Sequence, residues 1–353
     1  MKKANGELDD DLENSYVQHQ ERKKRAREEK AKDKCRAKSD PTFYAATFDL
    51  EAVLTTPCSL VGELYYKRKL SCYNLSFYSL GNGVGTCYLW DETHGNRGSC
   101  EVGTCLISHL NSLSNKTSSI KEITLYSDTC GGQNRNQYVA AALLFCIQQN
   151  QLSCINQKFF ERGHSNMECD TIHSTVEHAK KRTSVYVPSQ WETVISLARK
   201  VKPYIVVPMK FGDILDLKKL KEKEFRNMKV SKHGERINWL KIKWLQVRKD
   251  CPNSLFVNYT FDADEFIEVV ARTRKRGKCG TGLHLSKRYD SKLAISAAKK
   301  LICSPFVCHV QFQKNIGHTM SLFPTAKQSE TSFQHQLQVN RRRTHQTTNN
   351  RTS

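Results

Sequence analysis

Two carboxylates close strand-like runs: Asp49 follows residues 43–48 and Asp128 follows residues 120–127. Farther on, residues 170–181 carry a helical pattern in which Asp170, His173 and Glu177 recur at i, i+3 and i+7. Ile172, Val176 and Ala179 form a separate apolar stripe on that helix. If the two runs are adjacent parallel strands, Asp49 and Asp128 emerge at one sheet edge, and the helix can swing a third acid toward them. Clustered carboxylates repel unless a cation offsets them. Mg²⁺ or Mn²⁺ suits such oxygens and can serve an in-line displacement at phosphorus. The candidate catalytic set is therefore Asp49, Asp128 and Glu177, with Asp170 added as a fourth candidate metal ligand. Plainer readings stand beside it. Asp170 is a good residue for a helix start, Glu177 suits a solvated helix face, and His173 suits a hydrogen-bonded neighbour of the acids.

The segment 127–136, SDTCGGQNRN, is the most unusual in the chain. Two glycines allow close approach of backbone to a ligand, and the helix that follows offers free N–H groups to an anion. Gln133, Asn134, Arg135 and Asn136 add donors suited to phosphates or bases, and His164 is a further candidate for orienting a phosphate. The alternative is a tight strand-to-helix turn in which Asn and Gly serve backbone geometry, with His164 capping its loop. The G-x-x-x-x-G-K-[ST] pattern is absent, so a P-loop NTPase is not supported.

The elements that must position these residues are legible between residues 41 and 200. Strands at 43–48, 72–80 and 86–90, the last two joined by a Gly81-Asn82-Gly83 hairpin, precede a helix at 100–113. A strand at 120–127, a helix at 136–149, a strand at 155–160 and the helix at 170–181 follow. The order βββαβαβα predicts an α/β fold with an RNase H-like mixed sheet flanked by helices. Residues 201–323 read as a smaller basic α/β region. Within it, residues 237–247 predict a strand with Leu240, Ile242 and Trp244 on one face and Lys241 and Lys243 on the other. Residues 1–40 read as a charged, exposed helical or disordered segment, and residues 324–353 as a disordered polar tail.

Composition sets the partners. The 353 residues hold 56 Lys+Arg against 35 Asp+Glu, a net charge of +21. Residues 1–40 are nearly balanced, whereas 199–250 hold sixteen basic and six acidic residues and 268–300 hold ten and two. DNA is the expected partner, with Lys241, Lys243, Arg272, Arg274, Lys275 and Arg276 as candidate phosphate contacts. Arg341, Arg342 and Arg343 add a small basic patch in the tail. No apolar run has the roughly 18–20 residues of a membrane span, and the opening segment lacks the apolar stretch of a secretory signal. The fourteen cysteines form no C-x-x-C pair, so reduced thiols and a nuclear location are expected.

Four motifs then carry a family likeness: WDETHGNRGS at 90–99, SDTCGGQNRN at 127–136, ERGHSNMECDTIHSTVE at 161–177 and YVPSQW at 186–191. They resemble a large animal family of uncharacterised, transposon-derived proteins with an RNase H-like, DDE-transposase-like domain. The likeness runs from about Thr47 past Pro208. It implies that Asp49, Asp128 and Glu177 correspond to an acidic triad, with Asp170 as the alternative third acid. Many members show D-x-D-F where this chain has Ile172 in the place of the second acid and His173 in that of the aromatic. The expected function is a transposase-derived DNA-binding protein with a two-metal phosphodiester cleavage or strand-transfer site, active alone or as a homo-oligomer. The alternative is a DNA-binding remnant that keeps the fold without cleavage. A metabolic enzyme or a pure scaffold would leave the basic windows without a role.

Overall fold

The computed structural model describes residues 10–58, 68–116, 119–161, 167–261, 266–272, 283, 285–297 and 299. The chain divides into two compact units, Met1–Ser304 and Pro305–Ser353, and the described residues all fall in the first. The expected polar tail, with Arg341, Arg342 and Arg343, lies outside them.

One mixed sheet organises this unit. Its strands are β1 (Phe43–Leu50), β2 (Leu54–Thr56), β3 (Leu70–Ser79), β4 (Gly85–Asp91), β5 (Glu122–Ser127), β6 (Cys154–Phe159), β7 (Ile205–Pro208), β8 (Trp244–Arg248), β9 (Ser254–Asn258) and β10 (Ile267–Val270). They lie in the order β10-β9-β8-β6-β5-β1-β3-β4-β7, with β2 paired to β3. β1, β3 and β4 are antiparallel neighbours, β5 runs parallel to β1, and β6 runs parallel to β5. β7 is parallel to β4 at one edge, and β8, β9 and β10 continue antiparallel from β6 at the other.

Side chains alternate between two buried faces, as expected for a sheet covered on both sides. Phe48, Phe77, Ile123, Leu125, Ile155 and Phe159 enter the main core with α2 (Ser99–Lys116) and α3 (Gln137–Gln149). Asn136 starts α3 by accepting the Tyr138 and Val139 N–H groups, each at 3.0 Å. On the other face, α4 (Cys169–Lys180) inserts Ile172 and Val176 among Leu54, Leu89 and Trp191, with Ala179 packed alongside, so the apolar stripe does what its spacing predicts. Trp191 belongs to α5 (Gln190–Leu197). The hairpin between β3 and β4 turns at Gly83, whose φ of +70° favours glycine.

Two expectations are revised. The charged N-terminal segment forms α1 (Asp10–Ser39), and it is docked rather than exposed. Ala26 is its buried apolar contact, and ionic contacts to the sheet face supply the remaining anchors. Lys158 meets Glu29 and Asp33, each at 2.7 Å, Tyr126 donates to Asp33 at 2.5 Å, and Arg36 reaches Glu122 at 2.8 Å. Secondly, the described part of 201–323 is no appendage: β8, β9 and β10 complete the main sheet, and α6 (Leu217–Glu224) packs Leu217 and Leu220 into the main core.

The strand expected over 237–247 begins later, at Trp244. Residues 239–241 make a turn of 3-10 helix because Asn238 accepts the Leu240 N–H at 3.2 Å and the Trp239 indole donates to Met228 O at 2.7 Å. Leu240 is consequently exposed, while Ile242 is buried. Among the described residues, no helix is long and apolar enough to cross a membrane.

Candidate metal centre

Parallel pairing of β1 with β5 matches Thr47 to Tyr126, and extending that register by two places sets Asp49 beside Asp128 at one sheet edge. α4 is pinned above them at its first turn, where the Cys169 N–H donates to Thr47 Oγ1 at 3.2 Å. That anchor fixes which part of α4 faces the strands. One ligand atom from each of Asp49, Asp170 and His173 lies within 4.8 Å of the others. Asp128 stands close enough for its charge to act on Asp49. Its Oδ1 accepts the Cys130 N–H at 3.2 Å and a short bond from the Asn134 amide, so the turn after β5 holds it in place.

Glu177 is not part of this group. Two turns farther along α4, both its carboxylate oxygens accept from Lys180, at 2.8 and 2.9 Å. Its charge acts instead on Glu51, a fully buried carboxyl that takes the Asn74 amide at 2.8 Å. Glu51 Oε1 and Asn74 Oδ1 are both buried with no hydrogen-bond partner. Arg97 bridges the two neighbourhoods: its guanidinium donates to Glu51 O at 3.3 Å, and its charge reaches Asp49.

Burial and like charge govern the titration of the cluster. Desolvation, and then repulsion from Asp128, pushes Asp49 up to about 7, against opposing contributions from the Leu50 N–H and Arg97. Asp170, the most open of the three, also shifts up by desolvation, although its Oδ2 accepts the Met167 N–H at 3.0 Å. Burial drops His173 to about 4, so its ring is neutral at physiological pH. His173 Nε2 is buried without a hydrogen-bond partner, the state of an imidazole ready to ligate. Two carboxylates and a neutral imidazole, with a third carboxylate adjacent, are a donor set that a divalent cation fits. The nitrogen donor favours Mn²⁺ over the more strictly oxygen-seeking Mg²⁺.

The sequence reading placed His173 beside the acids but not among the ligands. Its signal was the i, i+3 spacing from Asp170, which sets both side chains on one helix face one turn apart. Glu51, two residues beyond Asp49 in the chain, carries no spacing signal of its own; only its burial in the fold marks it.

The candidate nucleic-acid contacts fare unevenly. Arg135 is buried, donates to Ile242 O at 3.3 Å and lies over the Phe159 ring. Asn134 holds Asp128 and Asn136 caps α3, so the amides of this turn are occupied by the fold, with half-buried Gln133 the exception. Gly132 has nothing within 4 Å of where a Cβ would stand, so its freedom serves no close approach within the fold. Lys243 pairs with Glu161 at 2.5 Å and Arg272 with Glu224 at 2.8 Å, while Lys241 is exposed. His164, Arg274, Lys275 and Arg276 lie outside the described residues.

Comparison with known proteins gives one match. A family profile described as a domain of unknown function (DUF8701) covers residues 82–224. That span runs from the β3–β4 hairpin to the end of α6 and holds Asp128, Asp170, His173 and Glu177, but not Asp49. No curated protein and no solved structure matches the chain.

Proposed function

We propose that this is a nucleic-acid-processing protein of the RNase H-like, transposase-derived kind, with a divalent metal centre at Asp49, Asp128, Asp170 and His173. The observation that carries the reading is the convergence of Asp49, Asp170 and His173, ligand atoms within 4.8 Å, where two adjacent parallel strands end. The order β4-β3-β1-β5-β6, three antiparallel strands followed by two parallel ones, supports the fold assignment. In this reading the third acid is Asp170, and Glu177 is its partner Lys180's counter-charge.

A divalent ion at the centre would offset the repulsion among the carboxylates and draw electron density from a phosphoryl oxygen. The protein's own contribution is positioning. Asn134 and the Cys130 N–H fix the Asp128 carboxylate, the Met167 N–H fixes Asp170, and the Thr47–Cys169 bond sets the height of α4 above β1. Burial keeps His173 neutral and therefore available as a ligand.

The test is cleavage of labelled duplex DNA by the full chain with Mn²⁺ or Mg²⁺. Asp49→Asn and Asp170→Asn should each lower the rate on the order of 100-fold or more, beyond the usual effect of second-shell changes. Glu177→Gln should leave most of it. Equal rates in wild type and Asp49→Asn would end the catalytic assignment. DNA binding without any metal-dependent cleavage would select the remnant reading, which the Lys180-paired Glu177 favours because the family likeness aligns that residue with the triad.

A further inference from the structure

The acidic edge of the sheet continues sideways into a strip of exposed cations, three from the basic windows 199–250 and 268–300 and one, Arg97, from outside them. β1, β4 and β7 all run in the same direction, so the segments leaving β4 and β7 emerge at the edge where Asp49 sits. The β4–α2 segment supplies Arg97 and His94, and the segment after β7 supplies Lys210 and Phe211. His94 and Phe211 stack with centroids 6.1 Å apart and an interplanar angle of 9°, and the Phe211 N–H donates to His94 Nδ1 at 3.4 Å. A later stretch of chain is laid against both. The Leu293 N–H donates to Thr93 O at 2.8 Å and the Arg288 N–H to Ile214 O at 2.7 Å. This brings Lys292 and Lys287 to the same strip, with Lys287 Nζ 3.9 Å from where a Cβ on Gly212 would stand.

Arg97, Lys210, Lys287 and Lys292 are exposed and make no ion pair among the described residues. His94 is held low by burial first; the charge of Asp91 opposes that, the charges of Lys292 and Lys210 add to it, and Asp213 opposes it again. The local acids are mostly engaged: Asp91 accepts from Thr93, Glu92 pairs with Lys299 at 2.6 Å, and Asp213 accepts the Lys210 N–H. Asp290 is exposed. On the opposite flank, past β6, Glu161 neutralises Lys243 and also faces Arg22. Arg97, Lys210, Lys287 and Lys292 thus gather four cations on the β4–β7 side of the acidic edge, where Asp91, Asp213 and Asp290 offset part of their charge.

We propose that Arg97, Lys210, Lys287 and Lys292, with the His94–Phe211 stack between them, form the track that holds the phosphodiester backbone of duplex DNA beside the metal centre. This rests on the nucleic-acid reading above and adds the surface that binds the substrate. The four cations come from the segments after the adjacent strands β4 and β7 and from the stretch laid against them, so they gather into one basic patch to the side of Asp49. Arg97 sits at the inner end, linked to the site through Glu51.

Fluorescence anisotropy of labelled duplex DNA with the full chain in EDTA tests this, because it reads binding without cleavage. Exposed lysines tolerate substitution, so Lys210→Ala/Lys287→Ala/Lys292→Ala should fold as the wild type does, with circular dichroism as the check. It should bind at least about 10-fold more weakly, and its slope of log affinity against log salt should be shallower by about 2 to 3. Lys287→Glu alone should weaken binding, and Lys241→Ala should change neither quantity. Wild-type affinity and slope in the triple variant, loss in Lys241→Ala instead, or no DNA binding by the wild type would overturn the proposal. Binding that follows this pattern without metal-dependent cleavage would leave the track standing and remove the catalytic reading. Cleavage that survives with an unchanged salt slope in the triple variant would do the reverse.

Discussion

Asp49 is where burial and like charge act together, and its titration gives a prediction with a definite sign. Its folded value of about 7 lies well above the ordinary carboxyl range, so the folded protein holds this proton more tightly than the unfolded chain. The associated stability is present at acid pH and is lost as pH rises through 7, by roughly 4 kcal/mol for a shift of about 3 units. Glu51, raised to about 8 by burial, acts in the same direction. His173, lowered to about 4, acts in the opposite direction: it adds stability as pH rises through 4 and up to 6.5, the ordinary value. His173 offsets only one of the two falling contributions between about pH 4 and 6.5, so the net fall begins near pH 4.5, is steepest between about 6.5 and 7, and ends near 8. Mn²⁺ competes with the Asp49 proton and should raise the melting temperature more at pH 8 than at pH 5.5, with the gain largely lost in His173→Ala. Scanning calorimetry with and without Mn²⁺ measures this, and an equal gain at both pH values would sink the ligand set. The helix face bearing Asp170, His173 and Glu177 was legible from spacing alone. Which acid meets Asp49 was not, because the choice rests on the Cys169–Thr47 bond, a contact across more than a hundred residues that sets the first turn of α4, and not its third, against the strand.

The docking of α1 shows why one element escaped a reading by pattern. Hydrophobic periodicity reveals faces that bury apolar side chains, and α1 buries little beyond Ala26. Its anchors are charges, and on a helix full of alternating charge nothing marks Glu29 and Asp33 as different from their solvated neighbours. What distinguishes them is Lys158, whose side chain is only 3 % exposed and lies 4.2 Å from the centroid of the Trp244 ring. A buried cation between two carboxylates is costly to break from one side. Lys158→Met should destabilise the protein by about 3–5 kcal/mol, because Glu29 and Asp33 would stay partly desolvated without the buried cation between them, leaving Asp33 the Tyr126 hydroxyl and Glu29 the exposed Lys32. Adding Glu29→Gln and Asp33→Asn to Lys158→Met should recover much of that loss, since replacing a whole buried ionic group is often close to neutral. Urea unfolding of the single and triple variants separates the cases, and a single-variant loss below about 1 kcal/mol would mean that α1 is not held this way. The same helix is tied to the start of α4: Lys30 and Lys34 pair with Glu168 at 3.0 and 2.9 Å, two residues before Asp170.

At the scale of the whole molecule, the sheet is assembled from distant parts of the chain, and this is where the sequence was least informative. The strands at 43–50, 70–79 and 85–91, and the alternation of strands and helices to 181, could be read because each carries its own period, whereas the three-residue β2 is too short to show one. The pairing of β8 with β6 could not, because about 85 residues separate them and neither strand encodes its partner. The apparent boundary near residue 200 was a change in composition, from balanced to basic, and the core does not follow it. Ile237, Ile242, Leu245, Val247, Leu255, Val257 and Val269 are all buried in the main cluster together with Ile155 and Phe159. At about 1.5–3 kcal/mol for each large aliphatic side chain, these seven supply roughly 10–20 kcal/mol of gross burial. That is as large as the entire net stability of an ordinary domain, about 5–15 kcal/mol. A fragment of residues 1–200 would also expose the unpaired β6 edge beside Ile155 and Phe159. It should therefore fail to fold, with no near-ultraviolet circular dichroism and no protected amides in β5 and β6, whereas residues 1–304 should retain both. Cooperative unfolding of the 1–200 fragment would show instead that the acidic centre belongs to a self-sufficient domain, and that β8 to β10 are an addition to it.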